Sequence, residues 1–347
     1  MSRVYLDYNA TTPLRPEARA AMLSAMDVLG NPSSVHAEGR AAKTVIETAR
    51  RQVADATGAS GADIIFTSSA TEAAALALAG QGYLCAAVEH DCVTAWAADA
   101  LHADKNGYVR AEDPKNTSLQ QVNSETGVVH KLPEGIALSD VVQAFGKIPY
   151  AFSWSGAERA MISGHKFGAP KGVGALIVRK GVEVDARLKG GGQEMGRRSG
   201  TENVIGIAGM GAAAKAAAKD VDEGRWGAVA ELRDWLEAYL ADAADDIQIF
   251  GQNVDRLPNT TYFSIRGWKG ETQVMQMDLA GFAVSAGSAC SSGKVVGSKV
   301  LKAMGYDDDT ASSAIRISMG LQTTREEVMR FADTWIEHYR RYKQRAA

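Results

Sequence analysis

A short β-branched run, DIIFT, passes through a polar turn, SSA, straight into the small-residue stretch TEAAALALAG. That order of strand, turn and helix limits the fold more than any other feature of the chain, because the turn has the form that offers backbone amides to an anion. The pattern continues. YLCAAVEH reads as a buried strand ending at His90, and from Met161 a strand, turn and strand lead into VGALIVR. Strands alternating with helices through small turns predict an α/β fold with a mostly parallel sheet.

The remaining segments arrange themselves around that core. Residues 1–15 read as an extended arm packing with a smaller domain, and Pro16 opens a helix through EARAAMLSAM at a first-turn position. GNPSSVHAEGR is a loop by composition, followed by the helix RAAKTVIETARRQVADATG. Residues 16–223 form the expected large domain and residues 224–347 a small C-terminal one, bridged by the helical stretch that begins at GIAGMGAAAK. In the small domain TTYFSIRG, FAVSAGS and SSAIRISMG read as strands. The last helix buries Val328, Phe331, Trp335 and Tyr339 on one side. Between Gly107 and Gly146 no apolar helical stripe of useful length exists, and Pro114, Pro133 and Gly135 break the segment further.

With 46% hydrophobic and 23% charged residues the composition is that of a soluble globular protein, and a net charge of -3 provides no basic field for nucleic acid. No apolar run is long enough to span a membrane, and the start MSRVYLDYNATTPL lacks the design of a signal peptide. Three cysteines, an odd number, argue against a disulfide framework and for the cytoplasm. Cys85 lies in an apolar run and reads as core. Cys92, close to His90, matches no zinc spacing, so no metal is expected.

Two side chains stand out chemically. Cys290 sits in SAGSACSSGKVVGS, where Gly287, Ser288, Ser291, Ser292 and Gly293 supply no apolar wall. A free thiol is commonly a small buried hydrophobe, but a reachable one is a candidate nucleophile. Lys166 lies in Ser163-Gly164-His165-Lys166, followed by Phe167, Gly168 and an apolar strand. An amine that reacts with an aldehyde must shed its proton beside room for a flat partner, and this setting provides both. Lys171 in the same loop is the competitor.

The string SGHKFGAPKGVGAL resembles the lysine motif of cysteine desulfurases, the NifS/IscS-like branch of the fold-type I (class V aminotransferase) pyridoxal phosphate enzymes. The same resemblance recurs in family order at YLDYNATTPLRPEA, GNPSSVHAEGR, TSSATE, GGGQEMGRRSGTEN and SAGSACSSG followed by SSAIRISMG. It implies a pyridoxal 5'-phosphate transferase fold with a smaller α+β C-terminal domain. It also implies a homodimer that takes sulfur from L-cysteine, leaving L-alanine and a persulfide for an acceptor or scaffold protein, as in assembly of iron-sulfur clusters or thio-cofactors.

Carried onto this sequence, the resemblance makes Lys166, Cys290 and His90 catalytic, with His90 also stacked on the cofactor ring and aiding ionisation of Cys290. Ala70 and Thr71 with Ser163 and His165 take the phosphate, Asp140 pairs with the ring nitrogen and Gln143 with the ring hydroxyl. Thr201 reaches the phosphate of the other subunit. Arg316 grips the substrate carboxylate with its planar fork.

Two departures matter. Where the family has two asparagines before a glutamate, this chain has Asn123-Ser124-Glu125, so the second contact is lost, bridged by water or taken over by Asn123. The family's room for crossover helices is also compacted near residues 110–140, predicting an irregular connection between Gly127 and Leu138 and a sheet face thinly covered or covered by another chain. Selenocysteine lysis and a catalytically weak, desulfurase-like partner subunit are the alternative readings. The flexible Cys290 loop disfavours transamination.

Overall fold

The computed structural model describes residues 3–287 and 297–346. In its first half β1 (Val4–Tyr5) precedes α1 (Pro16–Met26) and α2 (Ala37–Ala56). Then come β2 (Asp63–Thr67), α3 (Ala70–Leu78), β3 (Leu84–Ala86), α4 (Asp91–Thr94), β4 (Ala98–Leu101), β5 (Ser139–Asp140), β6 (Arg159–Ser163) and β7 (Gly174–Val178). The second half runs α5 (Val204–Asp222), α6 (Trp226–Ala243), β8 (Ile247–Ile249), β9 (Thr260–Ile265), α7 (Gly270–Leu279), β10 (Phe282–Ala283) and β11 (Ser285–Ala286). It closes with α8 (Lys299–Ala303), α9 (Asp308–Ser313), β12 (Ala314–Ser318) and α10 (Arg325–Ala346).

The central sheet has the order β2-β7-β6-β5, and β7 runs antiparallel to both of its neighbours. Beyond β5 the sheet continues through parallel bridges, Leu138 to Ser118 and Thr117 to Leu84, and ends in the parallel pair β3-β4. The sheet is thus mostly parallel, and its residues alternate faces. Ile64, Phe66, Ile162 and Ile177 pack toward α2 and α5, whereas Ile65, Met161 and Leu176 pack toward α3. A second sheet, β11-β12-β9-β8, is antiparallel and packs its Phe263, Ile265, Ile315 and Ile317 against α6 and α10. Val328, Phe331, Trp335 and Tyr339 of α10 are buried there, as their spacing predicts.

The arm belongs to this second unit by its bonds. β1 pairs in parallel with β10, and Asp7 bridges Ser318 at the end of β12. From there Asn9 to Arg15 cross to the large unit, where Thr12 Oγ1 donates to Lys166 O at 2.8 Å and Arg15 Nε to Phe167 O at 2.8 Å.

Between Gly127 and Leu138 there is no helix. Gly127 and Gly135 take positive φ, and the segment makes only isolated bridges, Val122 to Val129 among them. The thin cover expected over this strip is not what forms. Val109, Leu119, Val122 and Ile136 are buried in one cluster with Phe250, Leu257, Leu301 and Met304 of the chain's own C-terminal half. Main-chain bonds from Leu257 N to Gly127 O and from Val129 N to Asp255 O stitch the two together. Among the described residues no helix is long and apolar enough to cross a membrane.

Candidate active site

The C-terminal ends of β5 and β6 and the first turn of α3 border a cavity of about 380 Å³, lined from the other unit by the arm and Arg316. Crevices at the carboxyl ends of strands are where α/β sheets bind ligands. Two features shape the α3 end. The Ser69 side chain accepts from Glu72 N, leaving the amides of the first turn pointing outward. Gly174 lets the turn lie against β7, since a Cβ there would sit 2.6 Å from Ser69 C. Ser69, Ala70 and Thr71 line the cavity together with Ser163 and His165.

Asp140 ends β5 inside the protein. Its carboxyl accepts from Val142 N at 2.8 Å, and burial raises its pKa from 3.8 to about 6. Opposite stands Lys166, whose Nζ donates to Asn9 O at 2.7 Å and to Ala10 O at 3.0 Å. Lys171, its competitor in the sequence, is exposed and does not line the cavity. Burial also acts on the two histidines. His165, beside Lys166 and Lys171, is pushed down to about 4, and the pKa of His90 is lowered by burial and by Lys166. Both shifts favour the neutral rings.

His90 caps α4, and its Nδ1 accepts from Cys92 N at 3.1 Å. The neutral ring therefore carries its proton on Nε2. In that arrangement Nε2 is left as a hydrogen-bond donor. Cys290 itself lies outside the described residues. Of the strand that leads toward it, Ser285 is the register partner of Arg316.

Arg316 on β12 is nearly buried, with Nη1 donating to Ser124 O at 2.8 Å and Nη2 to Asp7 Oδ1 at 3.0 Å. Its Nε is buried with no partner among the described residues. Asn123 does not join it. Its Oδ1 accepts from Glu125 N and Thr126 N to close a turn, its Nδ2 donates to Val88 O, and Ser124 lines the cavity instead. The substrate contact expected of Asn123 is thereby corrected. Thr201 lines a separate, smaller cleft with Arg198 and Glu194, away from this chain's own cavity.

Sequence reasoning missed three polar side chains here. Asn9 is buried and bonds to both units of the chain, Lys147 lies behind the cavity wall, and Glu89 is buried beside Asp140 with its pKa pushed well up by burial and by that neighbour. Asn9 was within a recognised motif, but nothing in a linear string marks where an arm will land. Cys85 and Cys92 are buried, burial raising Cys85 to about 12 and Cys92 further. Among the described residues no three His, Cys, Asp or Glu side chains converge to hold a metal ion.

The cavity fits pyridoxal phosphate by its own chemistry. A buried carboxyl with a single amide donor is costly alone and is compensated by a cationic ring nitrogen, while the α3 amides and two small donors suit a phosphate. Comparison with known proteins agrees. The aminotransferase class-V family model matches residues 4–331. A cysteine desulfurase IscS of Dictyoglomus turgidum is 37% identical, over 94% of this chain and 91% of its own. A cysteine desulfurase of Cereibacter sphaeroides is 38% identical, over 96% and 95%. A NifS-like protein of Rickettsia africae superimposes with a TM-score of 0.88 at 33% identity, covering 97% of this chain and 99% of its own. With a lysine, a buried carboxyl and an arginine lining one cavity, and relatives alike over nearly the whole length, this chain belongs to the class-V aminotransferase family, in its cysteine desulfurase branch.

Proposed function

We propose that the protein removes the sulfur of L-cysteine, releasing L-alanine and leaving a persulfide on Cys290 for transfer to an acceptor protein. The observation that carries this reading is the opening of Lys166, Asp140 and Arg316 onto one cavity. Pyridoxal phosphate, when bound, supplies a cationic conjugated ring that draws electron density from the substrate's α-carbon. Lys166 would hold it through its amine, Asp140 through the ring nitrogen, Gln143 through the ring hydroxyl, and Ala70, Thr71, Ser163 and His165 through the phosphate. His90 would cover the ring face.

The chain's own groups do the rest. Arg316 orients the substrate by its carboxylate, and Lys166 Nζ takes the α-proton, a transfer that contributes about 10²–10⁴-fold. The Cys290 thiolate attacks the substrate sulfur. The sulfur–sulfur bond forms as the carbon–sulfur bond breaks, the electron pair left on the β-carbon takes up a proton, and Lys166 returns a proton to the α-carbon to give alanine. His90, holding its proton on Nε2, would offer a hydrogen bond at that stage.

Some of the reading concerns the protein as assembled. We assign residues 1–15 to an arm, 16–223 to the large domain and 224–347 to the small one, and the working form to a homodimer in the cytoplasm in which Thr201 serves the neighbouring phosphate. Support comes from an exposed apolar set on and near α1, with Leu23, Met26, Leu29 and Val35. Iron-sulfur or thio-cofactor assembly is the proposed destination of the sulfur.

The decisive experiment measures alanine and sulfide released from L-cysteine by the cofactor-loaded protein. Cys290→Ser should stop sulfur release while leaving the visible absorption of the bound cofactor intact; full release from that variant would sink the assignment. Arg316→Lys keeps the charge but loses the fork. It should raise KM for cysteine roughly tenfold, equivalent to about 1.4 kcal/mol, with a smaller effect on kcat. Steady-state kinetics decide, and an unchanged KM would remove Arg316 from substrate binding.

A further inference from the structure

A second lysine, unused by the reaction just described, lies behind the cavity wall. Lys147 is 3% exposed, and its Nζ donates to Gln143 Oε1 at 2.5 Å and to Asn9 Oδ1 at 2.9 Å. No carboxylate pairs with it among the described residues. The charged groups that bear on it are both cations, Lys166 and Arg316, and with burial they push its pKa well below the ordinary lysine value. An ammonium must satisfy three N–H groups and a neutral amine two. Two acceptors and no acid match the neutral amine.

Those two bonds decide how Gln143 is turned. The two ends of an amide side chain have the same shape, but a lysine amine donates and a main-chain carbonyl accepts. Oε1 must therefore face Lys147, and Nε2 must face Asn9 O, to which it donates at 2.9 Å. The second N–H of Nε2 is left for the cavity that Gln143 lines. Asn9 is fixed by the same logic, its Oδ1 accepting from Lys147 and from Asn259 Nδ2 at 3.2 Å while its Nδ2 donates to Thr260 Oγ1 at 2.9 Å. The main-chain oxygen of this same Asn9 receives Lys166 Nζ at 2.7 Å.

We propose that Lys147 is a positioning residue of this active site, which turns the donor end of Gln143 toward the cofactor cavity and holds Asn9, the shared acceptor of Gln143 and Lys166, in register. It rests on the reading of the cavity as the pyridoxal phosphate site. Lys147 does not line the cavity, and its effect on the cofactor passes through Gln143. Were Lys147 absent, one of the two bonds that orient the Gln143 amide would be lost, leaving only the one to Asn9 O to keep its donor end turned to the cavity.

The test is a double-mutant cycle on the full-length protein with Lys147→Met, Gln143→Leu and both together, titrated with pyridoxal phosphate and read by visible absorption. Losing one donor to the ring oxygen should weaken cofactor binding roughly fivefold. It should also raise the pH midpoint of the visible band, because a donated bond stabilises the deprotonated oxygen. If Lys147 acts through Gln143, the double variant should match Gln143→Leu alone. That comparison stays decisive even if Lys147→Met fails to fold by itself, since the double variant leaves no unpaired amide. Effects that multiply in the double variant would overturn the proposal, as would an unchanged affinity and midpoint in Lys147→Met beside a yellow unmutated protein. An unmutated protein with no visible band would take down the cofactor reading, and this inference with it.

Discussion

Lys166→Ala should yield a protein that stays colourless after incubation with pyridoxal phosphate and forms no measurable alanine from L-cysteine. On the proposed reading this amine both holds the cofactor and moves the substrate's α-proton. Loss of proton transfer alone lowers the rate by about 10²–10⁴-fold, and loss of attachment adds to it. The fold should survive. Removing Nζ leaves Asn9 O with the Gln143 Nε2 bond at 2.9 Å, and the Lys166 main chain keeps its bond from Thr12 Oγ1 at 2.8 Å. Melting followed by circular dichroism should therefore change little while absorption and activity vanish together. A yellow Lys166→Ala protein would move the attachment elsewhere, with the exposed Lys171 first in line.

Motifs that join an element end to its turn were legible because the chemistry and the backbone signal coincide. DIIFT followed by SSATE gives β2 and α3, and the strand before SGHK ends at Ser163 as β6, so the residues placed there line the cavity. What the sequence concealed depends on contacts between distant segments. Asn9 bonds to Lys147, Asn259, Thr260 and Ser318 at once, and no local pattern marks such a convergence. Asn123 was misread for the opposite reason. An asparagine beside serine and glutamate looks available, yet its Oδ1 closes an Asx turn by accepting from Glu125 N at 3.0 Å and Thr126 N at 2.9 Å. The shortened stretch up to Leu138 was rightly read as irregular, but its cover was not foreseen, because Phe250, Leu257 and Met304 come from more than a hundred residues further on.

Asp140→Asn should separate stability from catalysis. In the cofactor-free protein burial raises the Asp140 carboxyl from 3.8 to about 6. A carboxyl raised by folding holds its proton more tightly in the folded state, so below the unfolded value it costs nothing. The penalty grows as pH rises through the window between those two values and stays constant above it. A shift of that size corresponds to roughly 3 kcal/mol. Asparagine can keep the bond from Val142 N through its Oδ1 and carries no charge. The empty variant should therefore melt higher than the empty unmutated protein at pH 8, and the gain should disappear near pH 4. With cofactor the order should reverse, because the carboxylate that was costly when unpaired would then pair with the ring nitrogen and keep it protonated. Asparagine should weaken cofactor binding and slow alanine formation by about 10²–10³-fold, the size of effect that follows loss of one preorganised electrostatic partner. If the empty variant melts no higher at pH 8, or the loaded one works at the unmutated rate, Asp140 is not the group that carries the ring's charge.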